Sequence, residues 1–101
     1  NLVLDVSPNC DCHGENDVPI VPNVGMFASF DPVALDQACA DAVNAMPVNQ
    51  GSVMTDPDHN HGDADGSDHF HFSHPETNWE VALEHAERLG LGSRAYELVK
   101  I

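Results

Sequence analysis

A long segment without helical or strand periodicity is the feature that most limits how this chain can fold. Residues 49–73 are rich in Asp, His and Gly and have almost no apolar pattern. Such a composition buries too little apolar surface to order itself. Without these 25 residues, 76 of the 101 remain, enough for a small and marginal hydrophobic core. We therefore expect a single domain, residues 1–101, in which residues 49–73 form an irregular His/Asp-rich insertion.

The residues before the insertion have clear patterns of regular structure. Residues 1–6 are almost continuously apolar, which is typical of a strand buried on both faces, and residues 24–29 are a second strand candidate. Asp31 followed by Pro32 predicts a helix start, with an acidic N-cap and proline at the first helical position. Apolar residues then recur at helical spacing as far as Met46, and Pro47 ends the helix.

A second helix is predicted after the insertion. Thr77 and Glu80 fit a capping box ahead of an apolar stripe, and Gly90 fits a helix C-terminus. Residues 96–101 alternate in a way that slightly favours a closing strand over a short helix. The predicted fold class is therefore α/β or α+β, with a small mixed sheet and two main helices.

Two cysteines, an aspartate and a histidine lie together at residues 10–13. In an extended segment Cys10 and Cys12 would point to the same side, where a soft metal ion or cluster could bind both thiolates. Two ordinary loop thiols remain an equally weighted alternative at this point. His13 could add a ligand, whereas Cys39 lies on the apolar stripe and is better explained as a buried thiol.

Histidines in and just after the insertion form the second candidate metal site. Imidazole together with carboxylate suits zinc, nickel, copper or iron. The alternative is a solvated acidic loop, and spacing alone does not separate the two. The candidate ligands are His59, His61, His69, His71 and His74, which include two H-x-H pairs and alternate with aspartates.

Charge and cysteine content limit the partners and the compartment. The net charge of −14 makes nucleic-acid binding improbable and favours cations or basic partners. No apolar run approaches the roughly 20 residues of a membrane span, so no membrane partner is expected.

An odd number of cysteines, three, fits a reducing compartment, and we expect a cytoplasmic protein. The strand pattern at Asn1 suggests a piece of a longer protein.

Several sequence blocks together resemble the DUF362 family of uncharacterised iron–sulfur proteins. These blocks are Cys-Asp-Cys at residues 10–12, the run from Pro19 to Asn44, and residues 79–101. The resemblance implies that this chain is the C-terminal part of such a protein and that a ferredoxin-like module lies upstream. It also implies an iron–sulfur cluster in that upstream region, since no C-x-x-C-x-x-C array occurs here.

These observations together predict a metal-binding C-terminal domain of a redox-associated iron–sulfur protein whose reaction is unknown. The expected cofactor is a transition metal, zinc or iron, and the expected partners are the upstream ferredoxin-like domain and a redox partner. One alternative is an acidic protein-interaction domain without metal. Another is part of an enzyme whose site is completed by the upstream region, and no catalytic residue is assigned.

Overall fold

Two short antiparallel strands join the two predicted strand regions. The computed structural model describes residues 1–101, in which β1 (Leu2–Val3) pairs with β2 (Gly25–Met26). The longer predicted strands, residues 1–6 and 24–29, are wrong in length. Asp5 has a φ of 49°, and its backbone N–H donates to the side chain of Asn23 at 2.8 Å. Because this left-handed residue turns the chain, β1 cannot continue.

The first helix, α1 (Pro32–Asn44), follows the predicted pattern closely. Its N-cap is Asp31, whose side chain accepts from the backbone N–H groups of Val33 and Ala34 at 2.9 and 3.0 Å. Proline at the first position needs no hydrogen-bond partner there. The buried residues of this helix are Val33, Ala34, Gln37, Ala38, Ala40 and Val43. Of the predicted apolar stripe, Ala38 and Val43 are therefore buried, whereas Leu35, Cys39, Ala42 and Met46 are half-buried.

The His/Asp-rich insertion contains regular structure that the sequence did not predict. A 3₁₀ turn covers Val53–Thr55, and a short helix, α2, covers His69–Ser73. The carboxylate of Asp68 caps α2 by accepting from the backbone N–H groups of Phe70 and His71, each at 3.1 Å. Since the insertion supplies its own cap and packs Phe70 and Phe72 against the core, its composition alone did not decide its structure.

The third helix, α3 (Glu80–Arg88), begins differently from the prediction and ends as predicted. Its N-cap is Trp79 without a side-chain cap, so the Thr77–Glu80 capping box is wrong. Gly90 follows the helix with a φ of 77°, and Leu91 donates back to the carbonyl of Ala86 at 3.1 Å. The predicted closing strand, residues 96–101, is also wrong, because these residues form no regular element and are exposed.

The core lies where the two strands, α1 and the insertion meet. Five buried apolar residues form it: Val3, Ile20, Val21, Val43 and Met54. The fold is mixed α/β, as predicted, although its sheet is purely antiparallel rather than mixed. None of the helices has the length and apolar character needed to cross a membrane.

Candidate functional site: the thiol loop and the histidine cluster

The Cys10–His13 segment forms a hydrogen-bonded turn instead of the extended segment that the C-x-C spacing suggested. The backbone N–H of His13 donates to the carbonyl of Cys10 at 2.9 Å. Asn9 and Asn16 close the base of this loop, because each donates from its backbone or side chain to the other at 3.1–3.2 Å. Both thiols are exposed at the loop surface.

The two thiols affect each other's acidity in opposite directions. The backbone N–H of Cys12, followed by the Cys12 thiol, lowers the pKa of Cys10. The same thiol–thiol contact raises the pKa of Cys12, because its proton is shared with the neighbouring sulfur. The first proton of the pair is therefore lost more readily from Cys10 than from Cys12. A thiolate is the form that binds metal ions and attacks electrophiles.

His13 and Cys39, the other residues considered with the thiols, have separate contacts. His13 is exposed and its Nδ1 lies 3.2 Å from the Glu15 carboxylate, a contact that lowers the pKa of Glu15. Cys39 is half-buried on α1 and packs against the core, with its Sγ 3.7 Å from the side-chain nitrogen of Asn1. The expectation of an ordinary packed thiol at Cys39 therefore agrees with its surroundings.

His59 and His61 each bond to a main-chain carbonyl of the α2 region. His59 Nε2 lies 2.6 Å from the carbonyl oxygen of Ser73, and His61 Nδ1 lies 2.8 Å from that of Phe72. The ring of His61 also stacks on Phe72 with centroids 3.7 Å apart. The structure thus brings this H-x-H pair together, with 5.1 Å between the two ring centres.

His69 and His71 lie on a helix, where residues two apart do not face each other. His69 is buried, and its Nε2 donates to the carbonyl of Met46 at 2.8 Å, while its Nδ1 has no partner. His71 is exposed beside a polar cavity of about 320 Å³ that also contains Asp68 and Trp79 among its lining residues. The extended geometry in which this pair could chelate one ion is therefore replaced by α2.

His74 connects the histidine-rich insertion to the thiol loop. Its Nε2 lies 2.6 Å from the carbonyl oxygen of Pro8, two residues before Cys10. Its Nδ1 lies 3.2 Å from a carboxylate oxygen of Glu76. The backbone N–H of Glu76 lowers the pKa of that carboxyl, and His74 lowers it further. The histidine-rich insertion and the thiol loop are thus neighbours. His74 connects them, and both of its ring nitrogens have a hydrogen-bond partner.

Sequence reasoning missed the groups that position these histidines. Nearly all are main-chain carbonyls, namely those of Pro8, Met46, Phe72 and Ser73. Main-chain acceptors leave no trace in the residue pattern, although Glu76, two residues after His74, could have been noticed. Across the whole chain, no three His, Cys, Asp or Glu side chains come together in a geometry that would hold a metal ion by themselves.

Comparison with known families gives one match. Residues 1–41 fit the model of a family described as "Domain of unknown function (DUF362)". The matched segment includes both strands, the thiol loop and most of α1. The resemblance noted for residues 79–101 lies outside the matched segment and stays a prediction. No curated protein and no solved structure matches the chain.

Proposed function

We propose that this chain is a metal-binding domain of a redox-associated iron–sulfur protein, with Cys10 and Cys12 as its soft ligands. The observation that supports this proposal most directly is the paired state of the two thiols. They are exposed on one turn, and hydrogen bonds from Cys12 lower the pKa of Cys10. Two neighbouring thiols, which bind metal ions as thiolates, are a suitable donor pair for zinc or iron.

The thiol loop supplies fewer ligands than a complete metal site needs. Structural zinc usually has four protein ligands, and the loop supplies two thiols, with His13 turned toward Glu15. Under this proposal the remaining positions are filled by water or by another part of the protein. The exposure of both thiols leaves room for such an additional ligand. A bound ion would serve a structural or electron-transfer role.

The wider proposal rests on the resemblance to the DUF362 family, whose model matches residues 1–41, and on the charge. We propose an iron–sulfur cluster in an upstream ferredoxin-like region and a redox partner beyond it, in the cytoplasm. With a net charge of −14, the domain would attract a basic partner surface and repel an acidic one.

Cobalt(II) titration of the reduced protein tests the thiol site. Cobalt is a spectroscopic substitute for zinc, and its bonds to thiolate give a strong near-ultraviolet charge-transfer absorption. We expect this absorption in the wild-type protein and in Cys39→Ser, whose altered thiol packs on α1. We expect its loss in the double variant Cys10→Ser/Cys12→Ser. Absence of the band in the wild type, or its survival in the double variant, would refute the proposal.

A further inference from the structure

We propose that His59 and His61 form a separate two-imidazole site for a divalent transition ion such as zinc(II). This proposal depends on the proposed function only for the chain's role in metal binding. The ligands of this second site do not include the thiols. Each histidine is half-buried in the insertion and has one ring nitrogen bonded to a carbonyl oxygen. The insertion thus has a candidate site of its own.

The carbonyl contacts determine which ring nitrogen of each histidine carries the proton. A carbonyl oxygen can only accept, so His59 must be protonated at Nε2 and His61 at Nδ1. In the neutral rings, the opposite nitrogens, Nδ1 of His59 and Nε2 of His61, have free lone pairs. Metal-binding histidines commonly have this arrangement, with the second nitrogen donating to a carbonyl or carboxylate.

The spacing of the rings agrees with a shared ion. With zinc–nitrogen distances of about 2.1 Å and a tetrahedral angle, two imidazole centres on one ion lie about 5 Å apart. The centres of the His59 and His61 rings are 5.1 Å apart, with an interplanar angle of 58°. The distance between the two rings is therefore compatible with ligation of one ion by both histidines.

The local backbone holds the pair in this position. His61 stacks on Phe72 at an interplanar angle of 17°, which fixes the plane of its ring. Gly62, with a φ of 58°, lies so close to Pro75 that a Cβ there would be 2.8 Å from the proline Cβ. The turn that presents His61 is thus packed against the segment after α2, and a fixed site loses little conformational entropy on binding.

The charge of the chain favours a cation. Seventeen acidic residues against three basic ones give it a net charge of −14. His74 itself is not a candidate ligand of this site, since both of its ring nitrogens already face acceptors. Water would complete the coordination of the ion, which makes the site weaker than one with four protein ligands.

The test uses variants that can keep the carbonyl hydrogen bonds and that remove the free ring nitrogens. The amide N–H of glutamine can replace Nε2–H at position 59, and that of asparagine can replace Nδ1–H at position 61. We therefore compare His59→Gln/His61→Asn with His71→Asn/His85→Gln, whose original histidines are exposed. All proteins carry Cys10→Ser/Cys12→Ser, so zinc(II) binding measured by calorimetry reports no thiol ligation.

We expect the control, His71→Asn/His85→Gln, to bind zinc(II) as tightly as the parent protein, which carries only Cys10→Ser/Cys12→Ser. We expect His59→Gln/His61→Asn to bind zinc(II) at least about tenfold more weakly. Nitrogen NMR of the metal-free parent should show protons on His59 Nε2 and His61 Nδ1. Equal zinc affinity in the two variants, or the opposite tautomers, would overturn the inference. Because the thiol proposal is tested by the cobalt–thiolate band, either proposal can fail without the other.

Discussion

At the scale of single residues, Asp31 shows how one side chain organises distant parts of the chain. Besides capping α1, its carboxylate accepts from the backbone N–H of Ser93 at 2.9 Å. The same residue therefore holds the start of α1 and the segment that follows α3. Backbone N–H groups of Ala34 and Ser93 lower the pKa of Asp31 below its ordinary value of 3.8. The ionised carboxylate is thus the form that stabilises the fold.

The pH dependence of stability follows from that lowered pKa. The contribution of Asp31 is complete above pH 3.8 and is lost as the pH falls through its lower folded value. Asp31→Ala, which removes the cap, should unfold roughly 5 °C below the wild type at neutral pH, and this difference should shrink in acid. Thermal unfolding followed by circular dichroism over acidic pH measures both effects. Asp63→Ala, at an exposed position, is the control, and an equal loss in it would contradict the role of Asp31.

At the scale of helices and strands, the sequence predicted correctly the features that depend on residues close by in the chain. The cap and proline of α1 and the glycine after α3 act within a few residues, and both were identified correctly. The strands were too long in the prediction because Asp5 turns the chain through a bond to Asn23, which is distant in sequence. The α2 helix was missed because its stability depends on packing of Phe70 and on hydrogen bonds that His69 donates to Asn44 and Met46.

The same reasoning explains what was predictable at the candidate site. The residue types of the candidate ligands could be read directly from the sequence. The bond of His74 to the carbonyl of Pro8 could not, whereas its neighbour Glu76 lies only two residues away. The division of the histidines into a carbonyl-bonded pair, His59 and His61, and a helical pair could not be predicted. It requires residues 59–62 to pack against residues 72–75, and no local periodicity encodes that contact.

The end of α3 provides a test at the same scale. Gly90 has a φ of 77°, a left-handed conformation in which a Cβ is unfavourable. Gly90→Ala should therefore lower the free energy of unfolding by about 1 kcal/mol. Gly66→Ala is the matched control, since nothing lies within 4 Å of a Cβ there and its φ is not positive. Denaturant titration measures both, and an unchanged midpoint for Gly90→Ala would show that the helix end tolerates a side chain.

At the scale of the whole molecule, the core is small and the net negative charge is large. The packing of the helices therefore depends on a few polar contacts. Only 15 of 101 residues are buried. The chain has three basic residues against 17 acidic ones, and one of them, Arg94, joins α1 to α3. Its Nε donates to Gln37 at 2.7 Å, and its guanidinium lies 3.2 Å from Glu80 and 3.5 Å from Glu84.

The network continues from Arg94 across α1. Gln37 is buried and donates in turn to Asp41 at 2.8 Å, and Tyr96 donates to the other oxygen of Asp41 at 2.7 Å. The bond to Asp41 raises the pKa of Tyr96. Because Arg94 and Tyr96 both belong to the irregular segment after α3, this network fastens that segment to α1 without any strand pairing.

Removal of Arg94 should therefore destabilise the molecule more than its charge alone explains. Arg94→Ala leaves the buried carbonyl oxygen of Gln37 without a donor, and we expect a loss of about 1–3 kcal/mol in the free energy of unfolding. Arg94→Lys keeps the charge but not the bond from Nε, so an intermediate loss is expected. Arg88→Ala makes the same change in net charge at an exposed position of α3 and should have little effect. If urea unfolding gave equal losses for Arg94→Ala and Arg88→Ala, overall charge repulsion, and not the contact with Gln37, would be the cause.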